Sequence, residues 1–335
     1  MASISGDNHG RIGRFALCLV MLVIPALGCV TPRNPVQIAR GKCWTKLLGP
    51  NPQVGLIAMT RDGKTLAATF YRDPGSRYLD RVLRIFDLDS LAYQTFSLDA
   101  LAPWAPSEVT SLAWVDEGMT LDLLVTGNQT RLVRLKVADR KAHEVVACPD
   151  CIGIAVSALD RVARIDRYGG PDSVSFKVDV GGTMLADLPA SLGGYQPNSL
   201  AWSPDGSYVA VVFVIKPFRL GVSPSNMAVF SVTGVSAALV GVRDQDGDGR
   251  PYWPDDESVV LTANKEGVIR LFQFVPGIER VIVDVNRNPT LAGEIGQFGV
   301  FNAQASMIGK RLVFMTGGTV AIDQIMVMDE SCGAK

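Results

Sequence analysis

The chain has 335 residues, enough for one large or two ordinary domains with a sizeable buried core. Its 32 Lys and Arg stand against 33 Asp and Glu, so there is no basic stripe and no electrostatic case for binding nucleic acid. The 33 Gly and 19 Pro, set among frequent Val, Leu, Ile and Thr, predict short strands joined by turns in an all-β architecture.

Residues 1–28 read as a targeting segment. Arg11 and Arg14 form a basic start, Phe15 to Leu27 is an almost unbroken apolar run, and Ala26-Leu27-Gly28-Cys29 closes it. The run is short for a membrane-spanning helix. It resembles a bacterial lipoprotein signal, which implies acylation of Cys29, a lipid anchor and a place in the cell envelope outside the cytoplasm. An ordinarily cleaved secretory signal and an uncleaved anchor are the alternatives. Residues 29–53, with two Asn-Pro steps, read as a tether whose end docks through Trp44, Leu47 and Leu48. The folded domain is expected over 54–335.

Of the six cysteines, Cys18 lies in the apolar run and Cys29 is the acylation candidate. Cys43, Cys148, Cys151 and Cys332 are left in an oxidising compartment, where three pairings are open. The favoured one joins Cys148 to Cys151 and Cys43 to Cys332, the second tying together the ends of the mature domain.

From Gly55 onward one pattern recurs. Its strongest copy is Ser199 to Phe213, SLAWSPDGSYVAVVF, which reads as strand, tight turn, strand. Fainter copies start at Gly55, Ser111, Gly153, Pro251 and Ala303. Taking Asp62, Asp116, Asp160, Asp205, Asp256 and Gly309 as markers, the spacings are 54, 44, 45, 51 and 53. Each copy is followed by a further alternating strand, such as Val82 to Leu88, Arg131 to Val137 or Val268 to Phe274, and several by a fourth, such as Ala92 to Leu98 or Lys141 to Ala147. Strand-built units at this period predict a β-propeller of six blades with about four strands each, seven being possible.

The run Trp202-Ser203-Pro204-Asp205-Gly206 resembles the WD-repeat-like blade of TolB-type six-bladed propellers, and Arg61-Asp62-Gly63, Trp114 to Gly118 and Trp253 to Asp256 are degraded versions of it. The resemblance spans residues 54 to 331. It implies a binding scaffold, with Asp and Gly setting turns and Trp114, Trp202 and Trp253 packing between blades. The stretch between Cys29 and the first unit is too short for a separate N-terminal domain of the TolB kind.

Two local patterns could carry chemistry. Asp244-Gln245-Asp246-Gly247-Asp248-Gly249-Arg250 places carboxylates at positions 1, 3 and 5 and Gly at 6, as in a calcium loop. The Arg250 carbonyl would follow, with Asp255 at position 12. The alternative is a solvated acidic turn. Cys148-Pro149-Asp150-Cys151 has redox or zinc spacing, but a strand pattern follows it, which favours a structural disulfide or a pair of buried thiols. Hydrolysis by a triad has little support, because His143 is the only histidine outside the leader and no Gly-x-Ser-x-Gly elbow is present.

The expectation is a non-catalytic, envelope-attached propeller that binds a protein or glycan partner through connectors such as 72–80 and 216–226. A secreted propeller hydrolase or lactonase with a metal in the central channel is the alternative. Acidic and amide side chains converging on the axis would favour the enzyme, and a small, apolar lining the binder.

Overall fold

The computed structural model describes residues 37–41, 44–48, 54–71, 81–98, 108–127, 129–168, 175–180, 183–184, 195–215, 224–234, 236–246, 251–263, 268–274, 277–284, 299–317 and 322–329. The targeting segment, Cys29, Cys43, Cys332, Asp248, Arg250 and connectors 72–80 and 216–223 lie outside them.

The described chain opens with two strands, β1 (Gln37–Arg40) and β2 (Trp44–Leu48). Blade one follows as β3 (Val54–Met59), β4 (Thr65–Tyr71), β5 (Arg81–Asp87) and β6 (Tyr93–Ser97). Blade two is β7 (Glu108–Trp114), β8 (Thr120–Thr126), β9 (Thr130–Lys136) and β10 (Lys141–Cys148). Blade three is β11 (Cys151–Val156), β12 (Val162–Tyr168), β13 (Ser175–Val180) and the short β14 (Thr183–Met184). Blade four is β15 (Tyr195–Trp202), β16 (Tyr208–Ile215), β17 (Pro224–Thr233) and β18 (Ser236–Asp246). Blade five has three strands, β19 (Ser258–Ala263), β20 (Val268–Gln273) and β21 (Ile278–Asp284). Its innermost position is taken by Pro251 to Trp253, where the Val260 amide donates to the Tyr252 carbonyl. The last blade is β22 (Gly299–Ser306), β23 (Arg311–Gly317) and β24 (Ile322–Asp329).

Every sheet is antiparallel, and neighbouring blades touch through first strands where β3 meets β7, β11 meets β15, β19 meets β22 and β22 meets β3, while β11 meets blade two at β8 and β9. The protein is a six-bladed β-propeller. Alternation explains the ring. In β4, Leu66, Ala68 and Phe70 face blade six while Ala67 faces blade two, so each sheet has two apolar faces to bury. Radial stacking buries both and leaves only outer edges exposed.

Closure uses the start of the chain. β2 pairs antiparallel with β24, Leu47 opposite Ile325, and β1 adds outside it, so blade six has five strands from both ends of the domain. The stretch read as tether and docking segment thus contributes two strands to a blade, and the fold takes in residues before 54. Proline-rich flanks and the lack of an SPDG turn hid these strands, whose partner lies at the far end of the sequence.

Leu47 is wholly buried between blades six and one. Leu47→Ala is therefore expected to cost about 2–5 kcal/mol, the range for deleting a buried leucine side chain. Urea unfolding checks this, and a loss below about 0.5 kcal/mol, the size of a surface change, would place the segment outside the cooperative unit.

Candidate functional site

The first turn of each blade lies on one face of the ring, and its chemistry repeats. In blade four the Ser203 hydroxyl donates to Asp205 Oδ1 at 2.6 Å, and the Ser207 and Tyr208 amides donate to Asp205 and Ser203. Thr60, Asp62, Lys64 and Thr65 make the same set in blade one. Gly206 has φ +73°, and a Cβ there would come 3.2 Å from Ser157 of the preceding blade. The SPDG turn therefore serves two ends: it reverses the strand, and it lets adjacent turns touch.

Acidic residues link the turns. Glu117 accepts from the Asp62 amide at 3.2 Å, and Asp256 from the Asp205 amide at 3.1 Å, each reaching back to the preceding blade. Arg61 lies 3.8 Å from both Glu117 and Asp256, so it connects blade one to blades two and five at the mouth of the ring. Tyr252 of blade five donates to the Met59 carbonyl at 3.4 Å. Burial, with Glu117 nearby, raises the pKa of that phenol, which stays a neutral donor.

The tryptophans of the motif lie just below the turns. Trp114 Nε1 donates to the Ala58 carbonyl, Trp202 to Ala155 and Trp253 to Ala201, at 2.8, 3.2 and 3.1 Å. Each indole crosses from its own blade to the one before. At the seam between blades six and one the crossing runs the other way, from blade six to the blade after it: the Gln304 amide donates to the Ile57 carbonyl and accepts from the Met59 amide. The expected packing of tryptophans between blades is what the geometry has.

The first strands enclose a central cavity of about 540 Å³. Its wall mixes apolar residues, Ala58, Ala113, Ala155, Ala201 and Leu200 among them, with the polar or charged Arg61, Asp116, Glu117, Asp122, Asn302 and Gln304. The lining carboxylates, Asp116, Glu117 and Asp122, all come from blade two.

Asp122 was not singled out by sequence reasoning. It is buried on β8, and Arg134 grips it bidentately, Nε to Oδ1 at 2.7 Å and Nη2 to Oδ2 at 2.9 Å. Burial pushes the carboxyl up against the opposing pull of the guanidinium, and the same pair raises Arg134. The signal was available in the aligned units, where Asp122 stands at the position of Ala67, Ala163 and Ala210.

Of the residues of the calcium pattern, Asp244 and Asp246 fall on the opposite end of blade four from the first turns. Asp244, Gln245 and Asp246 complete β18, opposite Asn226, Ser225 and Pro224. The Asp255 carboxylate is used in its own turn, accepting from the Glu257 amide at 2.9 Å. The Cys148 and Cys151 sulfurs sit at bonding distance with Cα atoms 5.5 Å apart, and Asp166 Oδ1 lies 3.1 Å from Cys151 Sγ.

No protein-family profile matches the chain, and no curated protein does. Its likenesses are structural. The β-propeller domain of a Myceliophteria thermophila protein superposes with a TM-score of 0.48 at 9% identity, covering 88% of this chain and 99% of that one. An oligogalacturonate lyase in complex with manganese gives 0.47 at 11% identity, covering 88% and 96%. TolB from Acinetobacter baumannii gives 0.44 at 11% identity, covering 85% of this chain and 59% of TolB. At such identities no activity is carried over.

Asp205 supplies the prediction here. Burial alone would raise its carboxyl, but hydrogen bonds from the Ser203 hydroxyl and from the Ser207 amide and hydroxyl hold its pKa below the ordinary 3.8. A lowered folded pKa means that its contribution is complete above about pH 4 and is lost as pH falls through the folded value. Asp205→Ala is expected to cost about 1–2 kcal/mol at pH 7 and less at pH 3, read by denaturant unfolding at both pH values.

Proposed function

We propose that the protein is a non-catalytic, envelope-attached propeller that binds a protein partner on the face formed by the first turns. The supporting observation is the apolar display on that face. Ile308, Met119, Leu159 and Val115 are 75, 68, 56 and 45% exposed at the turns of three blades, around a mouth carrying Arg61, Glu117 and Asp256. Apolar tips among paired charges are the composition of a protein-binding surface. A glycan platform would instead need exposed aromatic faces, and Trp114, Trp202 and Trp253 are spent between blades.

Attachment through Cys29 rests on the lipoprotein-like leader. The Cys148–Cys151 pair is proposed as a structural disulfide of that oxidising compartment, supported by the separation of the two Cα atoms. The calcium reading of Asp244, Asp246, Asp248, Arg250 and Asp255 rests on the spacing alone.

Three measurements test these readings. Leu159→Glu with Ile308→Glu is expected to lower recovery of the partner from detergent-solubilised envelopes at least tenfold, while the unfolding midpoint stays near wild type; equal recovery would remove the face from the proposal. Cys29→Ser is expected to move the chain from the detergent phase to the aqueous phase on phase partitioning. Titration with calcium chloride is expected to give a binding heat that Asp246→Ala abolishes, and a wild type without heat ends the calcium reading.

A further inference from the structure

Three seams of the ring are built alike. In blades one, three and four the first strand carries an alanine paired with a second alanine across the ladder: Ala58 with Ala67, Ala155 with Ala163, Ala201 with Ala210. Over each pair lies the indole of the next blade, donating to the first alanine's carbonyl. Trp114, Trp202 and Trp253 belong to the apolar clusters that contain these alanines.

The seam between blades two and three departs from the pattern at both positions. Ala113 is paired not with alanine but with Asp122, and the residue of blade three at the tryptophan position is Val156. Among the described residues the cluster here is the smallest of the six, built on Leu124, Leu132, Cys151 and Ile154. The central cavity reaches into this seam, where Ala113, Asp122, Leu124, Leu132 and Val156 line it. A buried carboxylate therefore stands where the sister seams have a methyl group, and open space where they have an indole.

We propose that this recess is a binding site for a planar, N–H-bearing aromatic molecule of indole size, which takes the place of the missing tryptophan. Its ring lies between Leu124, Leu132 and Val156, as the indoles lie between blades elsewhere. Its N–H is donated to the Ala113 carbonyl, the counterpart of the three indole acceptors, or to Asp122. Arg134 occupies one acceptor direction on each Asp122 oxygen and leaves others open, since a carboxylate has about four such directions. The pairing also fixes the carboxylate and offsets the cost of its burial. The site rests on the central cavity being accessible and is independent of a partner on the turn face.

The test uses the full chain and two probes of one shape. Indole carries the donor, and 1-benzofuran has oxygen in its place. In ligand-observed NMR titrations indole is expected to bind with a Kd on the order of 1 mM or tighter, as for a well-held fragment, and benzofuran at least tenfold more weakly. Val156→Trp fills the recess and is expected to weaken indole at least tenfold. Should the new indole not tolerate Asp122, the double variant Asp122→Ala, Val156→Trp rebuilds the sister seam and makes the same test, with thermal unfolding confirming the fold. Absence of indole binding by the wild type, equal binding of the two probes, or undiminished binding by a folded variant each overturns the proposal. Leu159→Glu with Ile308→Glu leaves indole binding unchanged, so the fate of the turn face is read separately.

Discussion

A four-stranded blade has two apolar faces and can cover neither by itself, so the seam between blades is the contact on which everything else depends. In this protein the seam is more than apolar packing. Three tryptophans each lay an indole on a pair of alanines and donate to the carbonyl of the first, so a directed hydrogen bond accompanies the buried ring. The small residue and the large one are a matched set. Alanine leaves room for the ring, and the ring adds a side-chain donor to a carbonyl of the inner strand.

The turns above follow from the same requirement. Blades whose inner strands are held this close bring their first turns into contact, and glycine is needed where one turn meets another. A Cβ on Gly309 would stand 2.2 Å from the Asp62 carbonyl oxygen, a distance no side chain can accept. Ser306 donates to the Arg61 carbonyl across the same junction, and Arg311 to that of Gly63. Blades six and one are thus joined by turn contacts, by Gln304 and by the shared packing of Leu47, so the point where the chain closes has several independent ties.

Conserving a scaffold through repetition makes departures from the repeat informative. The shared tryptophans and aspartates are consumed in building the ring, which leaves function to positions where one blade differs from its sisters. The turn tips differ in carrying Met119, Leu159 and Ile308 outward. The second seam differs by exchanging an alanine and a tryptophan for Asp122 and Val156. A buried carboxylate and a vacated ring site are hard to account for as packing, because filling the space with apolar atoms would be the more stabilising choice.

The sequence by itself determined the all-β class, the six units and the place of each first turn, because those depend on local signals: alternation, Pro and Gly at the turn, and a recurring period. It also placed the tryptophans between blades. Strands β1 and β2 were beyond it, since pairing Leu47 with Ile325 joins residues at opposite ends of the domain. So was the course of the acidic stretch from Asp244, whose first three residues complete β18, because spacing alone does not fix where a ladder ends and a loop begins. Asp122 shows the division most clearly. In the sequence it is one acid among many, and only the tertiary structure, by setting it opposite Ala113 and in the grip of Arg134, gives it a cavity to face.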